Sequence, residues 1–183
     1  KRILASDVVQ VVRRIDWSPP EETTGGIGFT YDMYKNDYSA SKTASSGATR
    51  LYDADFYVVN SSFNVYKCIY NGISPTHPQG RASTVEPTGN ATSIIESNAD
   101  GYRWKYMYTI NISDYIRFVS SDFMPVRVDS TVAAAAVDGA VEQLIIDNRG
   151  SGNTNNATYY CPVVGDGTTD AIAKIEINGS VGI

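Results

Sequence analysis

The sequence predicts a mainly β fold, built of antiparallel sheets or a sandwich with long loops and short helices. Runs of β-branched and aromatic residues are bounded by Asn, Ser and Gly, which is the pattern of strands ending in turns. Tyr outnumbers Phe by 13 to 5, and a ring with a polar tip suits strands that keep one wet face. Between these runs lie polar stretches too rich in Gly, Ser, Thr and Pro for helices. With 183 residues, 42% of them hydrophobic, the chain can bury a core in one ordinary domain or two small ones.

The elements follow in order. Residues 6–17 (SDVVQVVRRIDW) open on the cap-like Ser6 and Asp7, which predicts a helical first turn. The rest of that segment reads as a strand entering a turn at Ser18, Pro19 and Pro20. Residues 21–50 form a long polar loop in which Tyr31, Tyr34 and Tyr38 are aromatic anchors. A loop of that length in a compact protein is usually a contact or assembly element.

The clearest β signal is a hairpin. Residues 55–59 (DFYVV) and 64–70 (NVYKCIY) flank the turn Asn60-Ser61-Ser62. A second long loop, 73–99, carries Pro75, Pro78 and Pro87 and the sole histidine, His77. Together with the three tyrosines, His77 is a candidate assembly contact. A third strand, 101–112, places Tyr102, Trp104, Tyr106 and Tyr108 on one face by simple alternation. Ser113 is placed to cap a short helix through Phe118, and residues 123–126 close the unit.

Near residue 130 the composition changes: aromatics thin out and Ala, Gly, Val and Ile take over. This predicts an aromatic-rich β domain over 1–130 and a Gly/Ala/Val-rich β module over 131–183. The module holds a repeat, Asp138-Gly139-Ala140-Val141 recurring as Asn178-Gly179-Ser180-Val181. Strands are expected at 141–147 and 171–177, with the second copy cut short as in a fragment.

Charge and motifs narrow the function. A net charge of −5 without a basic stripe argues against nucleic acid. No run approaches the roughly 20 apolar residues of a membrane span. Cys68 and Cys161 belong to no C-x-x-C pair and read as two separate reduced thiols. His77 lies on a polar loop without a nucleophile turn to serve, and one His with two scattered Cys is a poor zinc set. The acids read as solvated or turn-capping groups, Asp100 before Gly101 among them, although a distant pair could in principle meet as in a glycosidase. The expectation is therefore no catalysis, no cofactor, no metal and no small-molecule substrate. The aromatic face of 102–108 reads first as core and second as a platform for stacking sugars.

A series of signatures stands in order: Arg13-Arg14-Ile15-Asp16-Trp17, then Phe56-Tyr57-Val58-Val59, then Val65-Tyr66-Lys67-Cys68 with Asn71-Gly72, then Asp100-Gly101-Tyr102-Arg103-Trp104-Lys105-Tyr106, with Pro125-Val126 in the last place. In this order they resemble the baseplate wedge proteins of contractile-tailed, T4-like bacteriophages, the wedge subunit numbered eight in T4. The resemblance covers about residues 3–128 and leaves the Gly-rich tail outside it. It marks Arg14, Asp16, Trp17, Tyr66, Cys68, Asp100, Gly101, Tyr102, Trp104 and Pro125 as motif residues. It implies a cofactor-free virion protein of the tail baseplate, assembled in the host cytoplasm. Its partners would be other wedge proteins, with a homodimer as one form. The alternative function is a carbohydrate-binding β module of a receptor-binding tail protein, stacking sugars on Tyr102, Trp104 and Tyr106.

Overall fold

The computed structural model describes residues 4–17, 57–72, 83–141, 144, 154, 156–165 and 171–177. The fold is mainly β, in antiparallel sheets with few short helices. The expected hairpin is present, and a short N-terminal strand precedes it. A 3-10 turn at Ala5–Asp7 leads into β1 (Val11–Arg13). The hairpin is β2 (Tyr57–Val59) and β3 (Asn64–Asn71). Then come β4 (Ile95–Glu96), β5 (Tyr102–Thr109), α1 (Ile112–Phe118), β6 (Phe123–Pro125) and α2 (Ser130–Ala135). The strands β7 (Thr158–Val163) and β8 (Ala171–Glu176) follow.

β2, β3, β5 and β4 form a four-stranded sheet in the order β2-β3-β5-β4, while β1 pairs with β6 and β7 with β8. Simple alternation would put Tyr102, Trp104, Tyr106 and Tyr108 on one face, and here the structure departs from the expectation. Val65 pairs with Tyr108 but the next residue, Tyr66, pairs with Tyr106, so Met107 is an extra residue in β5. Consecutive residues of β3 point to opposite faces, and paired residues share a face, so this bulge turns Tyr108 to the other side. Tyr102, Trp104 and Tyr106 pack with Ile15, Val58, Tyr66 and Cys68 in one cluster. Tyr108 packs with Val59, Val65, Ile110 and Met124 in another. The sheet is thus buried on both faces.

Each face has its own cover. Trp17, Ile95 and Val132 of α2 lie against the first cluster. Val12, Tyr115 and Val119 cover the second, which brings α1 and the β1–β6 pair onto that face. The helix α1 starts at Asn111 and not at the expected Ser113: the Asn111 side chain accepts from the Asp114 N–H at 2.9 Å. Arg127 grips Asp114 side-on, its Nε and Nη2 donating to the two carboxylate oxygens, and holds the carboxyl below the usual range. Past residue 130, α2 is capped by Asp129, which accepts from the Thr131 and Val132 N–H groups.

Residues 83–99 behave differently from the open contact loop expected there. They include the edge strand β4, and they are tied to the hairpin by the chain's own bonds. Asn60 donates to Pro87 O at 2.9 Å, Tyr66 Oη to Gly89 O at 2.7 Å, and Ser61 N–H to Glu86 Oε1 at 2.7 Å. Of the tail, the described part is the β7–β8 hairpin. β8 was expected and β7 was not, and the first expected strand, 141–147, lies largely outside the described residues.

Candidate interaction surface

The segment 11–17 joins the sheets. β1 pairs with β6, and the chain then crosses to β2, where Val59 N–H donates to Ile15 O and Trp17 N–H to Val59 O, both at 2.8 Å. Alternation over these residues buries Ile15 and turns Arg14 and Asp16 outward. Arg14 Nε donates to Asp16 Oδ1 at 2.8 Å, and its Nη1 to Ser120 O at 3.0 Å. The hydrogen bond to Asp16 raises the Arg14 pKa further. Trp17 is half-buried, and its indole N–H donates to Ser83 Oγ at 2.9 Å. Arg14, Asp16 and Trp17 line a cleft of about 160 Å³ together with Asn60, Phe63 and Tyr115.

The polar groups at the cleft are largely engaged within the fold: Arg14 by Asp16 and Ser120 O, and the Asn60 amide by Pro87 O and the N–H groups of Ser62 and Asn64. Phe63 stands at its lip with φ 59°, its ring 4.8 Å from that of Tyr115. No spacing in the sequence brings 14–17, 60–63 and 115 together; only the crossing of β1 to β2 does.

The other motif residues are structural. Tyr66, Cys68, Asp100, Tyr102 and Pro125 are fully buried, and Trp104 is 1% exposed. Tyr102 and Trp104 stack at 5.2 Å. The rings required for a sugar-stacking platform therefore lie in the core. Cys68 and Cys161 are both free thiols.

Asp100 does more than cap its own turn. Its Oδ2 accepts from the N–H of Thr84 at 2.8 Å, from that of Val85 at 3.1 Å and from Ser83 Oγ at 3.2 Å, while Oδ1 accepts from Tyr102 N–H at 3.1 Å. Burial pushes its pKa up, but the N–H groups of Tyr102, Thr84 and Val85 that its oxygens accept from help to outweigh that and hold it below the usual range. Gly101 has φ +72°, and a Cβ there would sit 3.2 Å from Gly72 Cα. Thus Asn71-Gly72 and Asp100-Gly101 meet where β3 ends and β5 begins.

Of the expected assembly contacts, Tyr31, Tyr34, Tyr38 and His77 lie outside the described residues. Exposed apolar side chains stand elsewhere, on elements that carry no such signal in the sequence. Ile112 and Ile116, one turn apart on α1, are 75% and 76% exposed. Val11 and Phe123 on the outer side of the β1–β6 pair are also exposed, as are Leu4 and Val8 in the N-terminal segment. Arg117 ties that segment to α1, donating to Ser6 O at 2.8 Å and to Asp7 Oδ1 at 3.0 Å. Helical spacing alone sets Ile112 and Ile116 on one i, i+3, i+4, i+7 stripe with Tyr115 and Val119, so their exposure was not legible in the sequence.

Among the described residues no group of three His, Cys, Asp or Glu stands together as a metal site, and no helix is long and apolar enough to cross a membrane. No family model, curated protein or solved structure matches the chain.

Proposed function

We propose that the protein is a structural subunit of the baseplate wedge of a contractile phage tail, binding neighbouring baseplate proteins without catalysis or cofactor. The observation that carries this reading is the exposed isoleucine pair on α1, together with the exposed Val11 and Phe123 on the β1–β6 pair against which α1 packs. Single exposed apolar residues are ordinary. Several on elements that pack together mark a contact surface.

The motif residues support the reading through what they build. Arg14, Asp16 and Trp17 make the joint between the sheets, and Asp100 and Gly101 lock the start of β5. A subunit that bears load in an assembly needs such joints, and it needs apolar area to give to its neighbours. The partners are then other wedge proteins, and the place of work is the tail baseplate after assembly in the host cytoplasm.

The test is incorporation. Replacing Ile112 and Ile116 together by Lys leaves the isolated protein's circular dichroism unchanged, since both side chains are exposed, and removes the subunit from assembled tails. Undiminished incorporation of the double variant would remove α1 from the contact surface.

A further inference from the structure

Among the described residues β7 and β8 pair only with each other, and a lone two-stranded hairpin is marginal in water. Its two outer edges are unequal. At its base Asn156, at φ 58°, and Ala157 both face Ile177: Asn156 N–H donates to Ile177 O at 3.0 Å, and Ile177 N–H to Ala157 O at 2.9 Å. This is a bulge whose first residue is left-handed. Ladder bonds in an antiparallel pair fall on alternate residues, so Ile175 and Ala173 bond inward with Ile177. The backbone groups of Ile172, Lys174 and Glu176 therefore point away from β7, and those of Thr158, Tyr160 and Pro162 away from β8. Pro162 has no N–H to give, so the outer edge of β7 cannot carry a continuous ladder. The outer edge of β8 keeps every donor and acceptor.

We propose that the β8 edge receives a second copy of this chain, β8 against β8, with Lys174 of each copy opposite Glu176 of the other. Only outward-pointing residues exchange bonds across such an edge, which leaves three antiparallel two-fold registers that pair at least two outward residues of each copy. One sets Lys174 against itself, placing like charges face to face. Another sets Lys174 against Ile172 and makes no ion pair. The third joins Lys174 to Glu176 on both sides of the axis. It also brings Ile175 against its own copy as a close, non-hydrogen-bonded pair, beside the half-buried Cys161 and Ala173. A lysine on an edge strand ordinarily discourages strand addition; here the acid two residues on supplies its partner. Within one chain Lys174 and Glu176 already form an ion pair, which the dimer exchanges between copies.

Sedimentation of the full chain, with circular dichroism to follow its β content, tests this. The wild type is a dimer. Glu176→Lys, which makes both cross-axis pairs repulsive, weakens association roughly tenfold or more. Adding Lys174→Glu restores it. Lys174→Pro removes an outward N–H while leaving the inward ladder intact, and is monomeric with unchanged dichroism. In a Cys161→Ser background, Ile175→Cys forms an intermolecular disulfide on mild oxidation, because a close pair at about 4.5 Å between Cα atoms fits the bond. A monomeric wild type, a Glu176→Lys variant that dimerises as well as the wild type, or an Ile175→Cys variant that fails to cross-link overturns the proposal.

Discussion

Replacing Asp100 by Asn changes almost no volume and yet should be among the most damaging single-atom changes in this chain. Asp100 is fully buried, and both its oxygens accept: Oδ2 from Thr84 N–H, Val85 N–H and Ser83 Oγ, Oδ1 from Tyr102 N–H. An amide offers one oxygen. The less costly orientation keeps it at the Oδ2 position and turns the amide NH2 toward the Tyr102 N–H, so a buried donor faces a donor. Losing one charge-assisted bond and leaving that N–H unpaired costs about 2–4 kcal/mol, against a typical total stability of about 5–15 kcal/mol.

The pH dependence supplies an internal control. The folded pKa of Asp100 is held below its ordinary value, so its contribution is complete above the unfolded pKa. That contribution fades as pH falls through the folded pKa. Asn has no proton to gain there. Urea denaturation followed by far-ultraviolet dichroism should therefore show a large gap between wild type and Asp100→Asn at neutral pH, narrowing below the ordinary Asp pKa of about 3.9. A gap under about 0.5 kcal/mol at neutral pH, or one that does not narrow in acid, would refute the buried-acceptor account.

Three further outcomes follow from the same geometry. Gly101→Ala combines positive φ with a Cβ 3.2 Å from Gly72 Cα, so it should lower stability by about 1–3 kcal/mol in the same urea assay. Tyr108 has its hydroxyl buried without a hydrogen-bond partner among the described residues, and burial, with Tyr57 nearby, raises its pKa to about 12. Tyr108→Phe should then be neutral or stabilising by up to about 1 kcal/mol, and a loss larger than that would reveal a partner. Thiol labelling of the native protein should modify Cys161 quickly and the fully buried Cys68 only on unfolding, giving one fast label and one slow.

Local signals were readable where one residue type makes its own structure. Asn60 turns the hairpin by accepting from Ser62 and Asn64 N–H groups, and the polar turn between apolar runs announced it. The strand at β5 was legible from alternation, and the helix after it was expected, though its cap is Asn111 and not Ser113. Long-range features were not. Asp100 looked like a local turn acid because its partners Thr84 and Val85 lie 16 and 15 residues away. The bulge at Met107 leaves no trace in the alternation, so the side taken by Tyr108 could be learned only from the pairing with Val65. β4 escaped notice because two residues in a Pro-rich stretch carry no period. The cleft beside Arg14 depends on one crossing of the chain between sheets, which no motif encodes.

Quantitative mass spectrometry of isolated tail baseplates tests the central claim most directly. If the chain is a wedge subunit, its peptides appear at a fixed integer ratio to the other wedge proteins and stay with them through dissociation of the tail tube. Peptides absent from purified baseplates, or present only in substoichiometric and variable amounts, would contradict it.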